Sequence, residues 1–168
     1  MKLPALMIAL CLALAIAVGG CGGSSSDSSS DSTSSSKSAE SANTDLSKKP
    51  VVTVPTGVSP KKFAYKEIVE GTGPVAKSGD KVTVQYVGVG FDTEKEFDSS
   101  WSRNEPFPFT LGAGEVIKGW DQGVEGMKVG GRRELLIPGN LAYGAAGSPP
   151  SIGPNETLIF VIDLLKVE

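Results

Sequence analysis

Histidine is missing from all 168 residues. Without imidazole no Ser-His-Asp or Cys-His relay can be built, and the commonest ligand of catalytic zinc is gone. Cysteine is nearly missing too, with Cys11 and Cys21 the two copies. Positive charge is not in excess: 16 Lys and Arg stand against 19 Asp and Glu, a net charge of -3, with no basic patch. No nucleic-acid partner is therefore expected. The carboxylates are scattered singly, without the pairing of a glycosidase or the spacing of a calcium loop, so no metal is expected. Gly112-Ala113-Gly114 is followed next by Gly119, and no Gly-Lys-Ser/Thr occurs anywhere. A phosphate cradle is thereby excluded, and these are turn glycines ahead of a helix.

No apolar run reaches the roughly 20 residues that a membrane-spanning helix needs. The run from Leu3 to Val18, broken only by Pro4, follows Met1-Lys2 and has the length of a secretory-signal core. Val18-Gly19-Gly20-Cys21 then resembles the lipobox at which bacterial lipoprotein precursors are acylated and cut, with Gly19 where Ala or Ser is more usual. The expectation is a signal peptide over residues 1–20 and lipid on Cys21. The chain would then be exported and anchored to the bacterial cell membrane, its domain facing outward or periplasmic. A plain secretory signal, with Cys21 a leftover thiol, is the alternative. Several acyl chains, at about 0.8 kcal/mol per buried methylene, would make the attachment stable. Cys11 leaves with the leader and Cys21 carries the lipid, so no disulfide is expected.

Between Ser24 and Ser41, 12 of 18 residues are serine and no large apolar side chain is present. Such a stretch cannot bury enough surface to fold alone, and residues 21–50 are expected to form a disordered tether. Composition shifts at Pro50, which puts one domain at residues 51–168. There Lys81-Val82-Thr83-Val84-Gln85-Tyr86-Val87 alternates with period two, as do Leu158, Phe160, Ile162 and Leu164. Arg132 to Ile137 reads as a further strand and Lys62 to Ile68 as a first one. Val116, Trp120, Val124 and Met127 form one apolar helical face. Glycines at 119, 123 and 126 weaken that helix by about 1 kcal/mol each, so packing on a sheet must hold it. The expected fold is α+β, a curled antiparallel half-barrel wrapped on one short helix.

An unusual number of large side chains sits near Gly/Pro-rich turns: Tyr86, Phe97, Phe107, Phe109, Trp120, Tyr143, Ile152 and Phe160. They could be core, or they could line an apolar cleft. Composition does not choose, but order does. Tyr86-Val87-Gly88, Phe97-Asp98-Ser99-Ser100, Arg103-Asn104-x-Pro106-Phe107-x-Phe109, Leu111-Gly112, Glu115-Val116-Ile117-x-Gly119-Trp120, Gly130, Tyr143-Gly144, Gly147 and Leu158-x-Phe160 closely resemble the FKBP-type peptidyl-prolyl isomerases. The resemblance runs from about Lys62 to the C-terminus, and the stretch from Val51 looks like the family's bacterial lipoprotein or secreted members.

That resemblance implies a pocket between sheet and helix with Trp120 as its floor. Tyr86, Phe97, Phe107, Val116, Ile117 and Phe160 would form the walls, and Ile152 and Arg103 would join the substrate-binding set. Asp98 and Tyr143 would be the polar points, with Asp98, Tyr143, Phe97 and Phe160 as the catalytic group. The Ile117 N–H and the Tyr143 hydroxyl would donate to ligand carbonyls, and Arg103 would pair with Asp98 or Tyr143. Ser148 and Ser151 stand where eukaryotic relatives carry His and Ile, and Gly153 replaces a common Pro, which loosens that loop. The implied partners are proline-containing polypeptides and tacrolimus- or rapamycin-type inhibitors. Isomerisation needs no nucleophile, metal or cofactor, which fits a chain without histidine or free thiol. A monomer is expected, and a surface-tethered proline-binding chaperone or adhesion module with incidental isomerase activity is the competing function.

Overall fold

The computed structural model describes residues 43–168, so the expected leader, Cys11, Cys21 and most of the expected tether lie outside the described residues. Six strands make one antiparallel sheet: β1 (Ala64–Val69), β2 (Lys81–Gly90), β3 (Glu96–Ser99), β4 (Phe107–Thr110), β5 (Arg132–Ile137) and β6 (Leu158–Val167). Their order is β1-β5-β6-β2, and the remaining edge of β2 is shared. β4 pairs with its first half, Lys81 to Val84, and β3 with its second, Val87 to Val89. One strand serving two short partners must bend between them, and the register shifts at Gly88/Val89 and at Thr83/Val84 supply that bend. The sheet curls without closing.

Among the described residues two short α-helical pieces interrupt the strands, besides two 3-10 turns, Gly139–Leu141 and Gly144–Ala146. α1 (Ser100–Arg103) is a single turn and α2 (Lys118–Val124) is two turns long. The helix expected from Val116 to Met127 is thus shorter than its apolar pattern. Ile117 is extended at its start and Glu125 turns the chain out at its end, yet Met127 remains buried in the same core. The inward face of α2 carries Gly119 and Gly123. A Cβ at Gly119 would collide with the Ile137 side chain, and one at Gly123 would lie 2.7 Å from Leu135 Cδ2. These two positions let the helix backbone settle directly on β5, and they drive Trp120 and Val124 into the core beside Val84, Leu135, Phe160 and Ile162.

The alternation of β6 has a second consequence. Leu158, Phe160, Ile162 and Leu164 face α2, which sends Ile159, Val161 and Asp163 to the opposite face. They are nevertheless buried, as are Val87 and Val89 of β2. The chain before β1 crosses this face. Arg132 donates to the carbonyls of Asn43 (2.8 Å) and Lys48 (2.9 Å), and the Thr157 hydroxyl donates to that of Pro60 (3.0 Å). The Asn43 side chain exchanges two hydrogen bonds with the Val51 backbone, at 2.7 and 2.8 Å, and Pro50 is buried. Composition starts the domain at residue 51, but hydrogen bonding starts it by Asn43. The difference arises because this segment contributes main-chain carbonyls, which carry no compositional signal.

What those carbonyls satisfy is Arg132, which is fully buried and bidentate to Asp163, Nε to Oδ1 at 2.5 Å and Nη2 to Oδ2 at 2.7 Å. A buried ion pair is tolerable only when its remaining donors are met. Removing residues 43–50 should therefore lower stability by about 3 to 6 kcal/mol, since hydrogen bonds from a charged donor contribute roughly 1.5 to 3 kcal/mol each and Arg132 loses the two to Asn43 and Lys48. Urea unfolding of residues 43–168 against residues 51–168 measures this, and equal midpoints would refute it. Arg132→Met, which strands the Asp163 charge, should cost about 3 to 5 kcal/mol.

Candidate active site

The concave side of the sheet and the start of α2 enclose a pocket of about 440 Å³. Each element places a part of it. β2 supplies Tyr86, β3 supplies Phe97 and Asp98, and β4 supplies Phe107. Glu115, Val116 and Ile117 arrive on the segment ahead of α2, Trp120 on its first turn, Tyr143 between two 3-10 turns, and Phe160 on β6. Trp120, 4% exposed, is the floor. Its ring meets Tyr86 and Phe160 edge-on, with centroids at 5.0 and 5.2 Å, and Phe160 meets Phe97 the same way at 5.5 Å. These are the favourable edge-to-face contacts of aromatic quadrupoles, so the rings brace one another. Gly88 makes the last contact possible, because a Cβ there would lie 2.7 Å from both the Phe97 and the Phe160 ring.

The polar part is a triad on adjoining elements. The Tyr86 hydroxyl donates to Asp98 Oδ2 at 2.5 Å, Arg103 Nη2 donates to the Tyr86 oxygen at 2.9 Å, and Arg103 Nη1 pairs with Asp98 Oδ1. The Ser99 N–H also donates to Asp98 Oδ1, at 2.8 Å. Burial pushes the Asp98 carboxyl up, but the hydrogen bonds from Tyr86 and Arg103 and the Arg103 charge outweigh it and hold the group below the usual carboxylate range. Burial, followed by the bond to Asp98, pushes the Tyr86 phenol up to about 12. Tyr143 differs: its hydroxyl makes no hydrogen bond among the described residues, and burial and the Asp98 charge push its phenol up. The Ile117 N–H likewise has no backbone partner among the described residues, although its carbonyl caps α2 by accepting from Trp120 at 2.9 Å.

Of the residues expected at the site, Tyr86, Phe97, Asp98, Phe107, Val116, Ile117, Trp120, Tyr143 and Phe160 come together around this one pocket. Two members of the expected substrate-binding set, Arg103 and Ile152, are not among the residues that line the pocket. Of the two partners expected for it, Arg103 takes Asp98, together with Tyr86, because the α1 turn stands beside β2 and β3, where Ser100 Oγ accepts the Tyr86 N–H at 2.8 Å. Ile152 does not line the pocket. The 148–152 turn, closed by the Ser148 N–H donating to the Ile152 carbonyl at 2.9 Å, folds Ile152 into the core at 5% exposure. Glu115 lines the pocket without having been singled out; it stood inside a quoted motif, but a lone carboxylate on a loop has no spacing partner to announce it. Among the described residues no group of three or more His, Cys, Asp or Glu could hold a metal ion.

Residues 73–165 match the family model described as FKBP-type peptidyl-prolyl cis-trans isomerase. The chain is 60% identical over 121 residues to an FK506-binding protein of Streptomyces anulatus, covering 71% of this chain and 98% of the relative. It is 45% identical over 119 residues to a probable FK506-binding protein of Corynebacterium glutamicum, with 71% and 98% covered. Among solved structures, FkpA from Escherichia coli superposes with a TM-score of 0.58 at 44% identity, covering 63% of this chain and 48% of that one.

The charge on Asp98 should register in acid unfolding. Its folded pKa lies below the unfolded value of about 3.9, so the stability it contributes is present above that pH and lost as pH falls through the folded value. Asp98→Asn keeps the shape and discards the charge. The stability gap between wild type and variant should therefore be constant above about pH 5 and narrow as pH falls below about 4. A gap independent of pH would mean that Asp98 is not held charged.

Proposed function

The chain belongs to the FKBP-type peptidyl-prolyl cis-trans isomerases, and from that membership we propose that the pocket floored by Trp120 is where it accelerates X-Pro isomerisation, without covalent chemistry. The observation that carries this reading is the pairing of a braced aromatic floor with two hydrogen-bond donors beside it, the Ile117 N–H and the Tyr143 hydroxyl, that have no partner among the described residues. Uncatalysed rotation is slow because the amide C–N bond has partial double-bond character, with a barrier of about 18 to 20 kcal/mol. Twisting the amide breaks resonance and reduces its dipole. An apolar pocket therefore disfavours the planar, polar ground state more than the twisted one. The prolyl ring sits on Trp120. The two donors hold flanking carbonyls in the bent geometry that the twist requires, and Asp98, fixed by Tyr86 and Arg103, borders the rotating bond. FK506-type inhibitors occupy the same pocket and compete with substrate.

A protease-free exchange measurement on a short X-Pro peptide tests this reading, and saturating tacrolimus should abolish the acceleration. Tyr143→Phe keeps the ring and loses one donor, a loss of about 0.5 to 1.5 kcal/mol or roughly 2- to 12-fold in rate. Asp98→Val should cost more rate than that while leaving the domain folded. Phe160→Ala should lower both activity and stability, because truncating a buried Phe costs about 3 to 5 kcal/mol. Undiminished catalysis in folded Asp98→Val and Phe160→Ala proteins would put the site elsewhere. Asp98 is held below, and Tyr86 and Tyr143 above, their ordinary ranges, so none of the three changes charge between about pH 5 and 9 and the rate should be level there.

The clients are proline-containing polypeptides of the exported compartment, and the enzyme works as a monomer held to the membrane by lipid on Cys21. Support for this comes from the sequence: the apolar leader, the small residues before Cys21 and the serine tract after it. Mass spectrometry of the native N-terminus should find a chain that begins at an acylated Cys21, and Cys21→Ser should release it from membranes. An unmodified Cys21 would remove the anchor.

A further inference from the structure

The charges in the pocket are not balanced. Asp98 is matched by the Arg103 guanidinium and receives the Tyr86 hydroxyl. Glu115, on the lining between β4 and α2, belongs to none of the ion pairs among the described residues. Its Oε2 accepts the Thr110 N–H at 2.9 Å, which reaches back to the last residue of β4 and holds the carboxylate in place. Oε1 accepts no hydrogen bond among the described residues. Lys118, three residues on, is exposed, pairs with neither oxygen and does not line the pocket. The site thus presents one fixed, uncompensated negative charge at the edge of an apolar floor.

We propose that the Glu115 carboxylate makes the enzyme favour X-Pro segments that carry a Lys or Arg side chain within two residues of the proline. The inference rests on the reading of this pocket as the isomerase site. A proline seated on Trp120 leaves its flanking residues at the rim, where Glu115 is exposed. A cationic flank meets a carboxylate already oriented by Thr110, with one oxygen open to accept, while an acidic flank meets like charge. Solvent at the rim limits the gain to the range of exposed ion pairs, about 2- to 5-fold, and added salt screens it.

The test uses the full-length chain and protease-free exchange on peptides that share one X-Pro core. They carry Lys, Gln or Glu two residues after the proline in one series, and two residues before it in another. The expected result, in at least one series, is a kcat/KM for the Lys peptide about 2- to 5-fold above that for the Glu peptide at low ionic strength. That ratio should shrink in about 0.5 M salt. In Glu115→Gln, whose amide oxygen can still accept from Thr110, the Lys-to-Glu ratio should move toward one. Equal turnover of Lys and Glu peptides by the wild type would overturn the proposal, as would a ratio that survives Glu115→Gln. A preference for Glu would give the field to Lys118 and overturn it too. Failure to accelerate even the Gln peptides would instead bring down the isomerase reading of the pocket, and this inference with it.

Discussion

The contact between α2 and β5 sets the depth of everything else. Gly119 and Gly123 lie against Ile137 and Leu135 with no room for a Cβ, and the helix axis is correspondingly close to the sheet. Trp120 springs from that lowered axis, and its indole meets Tyr86 of β2 and Phe160 of β6 edge-on. An alanine at either glycine would improve helix propensity by roughly 1 kcal/mol and would lift the floor. The chain therefore accepts a poor helix former at two of seven helical positions. Packing, not propensity, keeps α2 folded, which ties the integrity of the pocket to the integrity of the sheet.

The polar triad shows the same economy of supports. Tyr86 is fixed at both ends: its N–H donates to Ser100 Oγ, and its hydroxyl lies between Asp98 and Arg103. Ser100 and Arg103 are the first and last residues of α1, so one helical turn indexes the backbone and the side chain of the same tyrosine. Asp98, one strand position ahead of Ser99, is caught in this frame. Its oxygens are used by partners that do not titrate near neutrality, and with Asp98 held below and Tyr86 above its ordinary range the triad keeps its charge there.

Much of this was legible in the sequence, for stated reasons. The ten-residue strands β2 and β6 alternate over enough residues for period two to stand out, and Arg132 to Ile137, read as a further strand, is the observed extent of β5. β3 and β4, at four residues each, are too short to show a period, and Pro108 disguises the second. The ends of α2 were misplaced because Val116 and Met127 sit at helical spacing from Trp120 although only the residues between are helical. Ile152 was misread because nothing in an apolar side chain says which side of a turn it faces. The role of residues 43–50 was invisible for a deeper reason: they act through peptide carbonyls, which every sequence possesses.

The segment before β1 also decides how tension in the chain enters the domain. A pull on Asn43 is carried by Arg132 and, through Asp163, by β6. β5 lies between β1 and β6, and β6 between β5 and β2, so the load arrives at strands with neighbours on both sides instead of peeling an edge. It is also applied to the face of the sheet turned away from Trp120. The domain is in effect held by its back, and it can be tugged or carried by its N-terminal side without prising apart the rings that make the pocket.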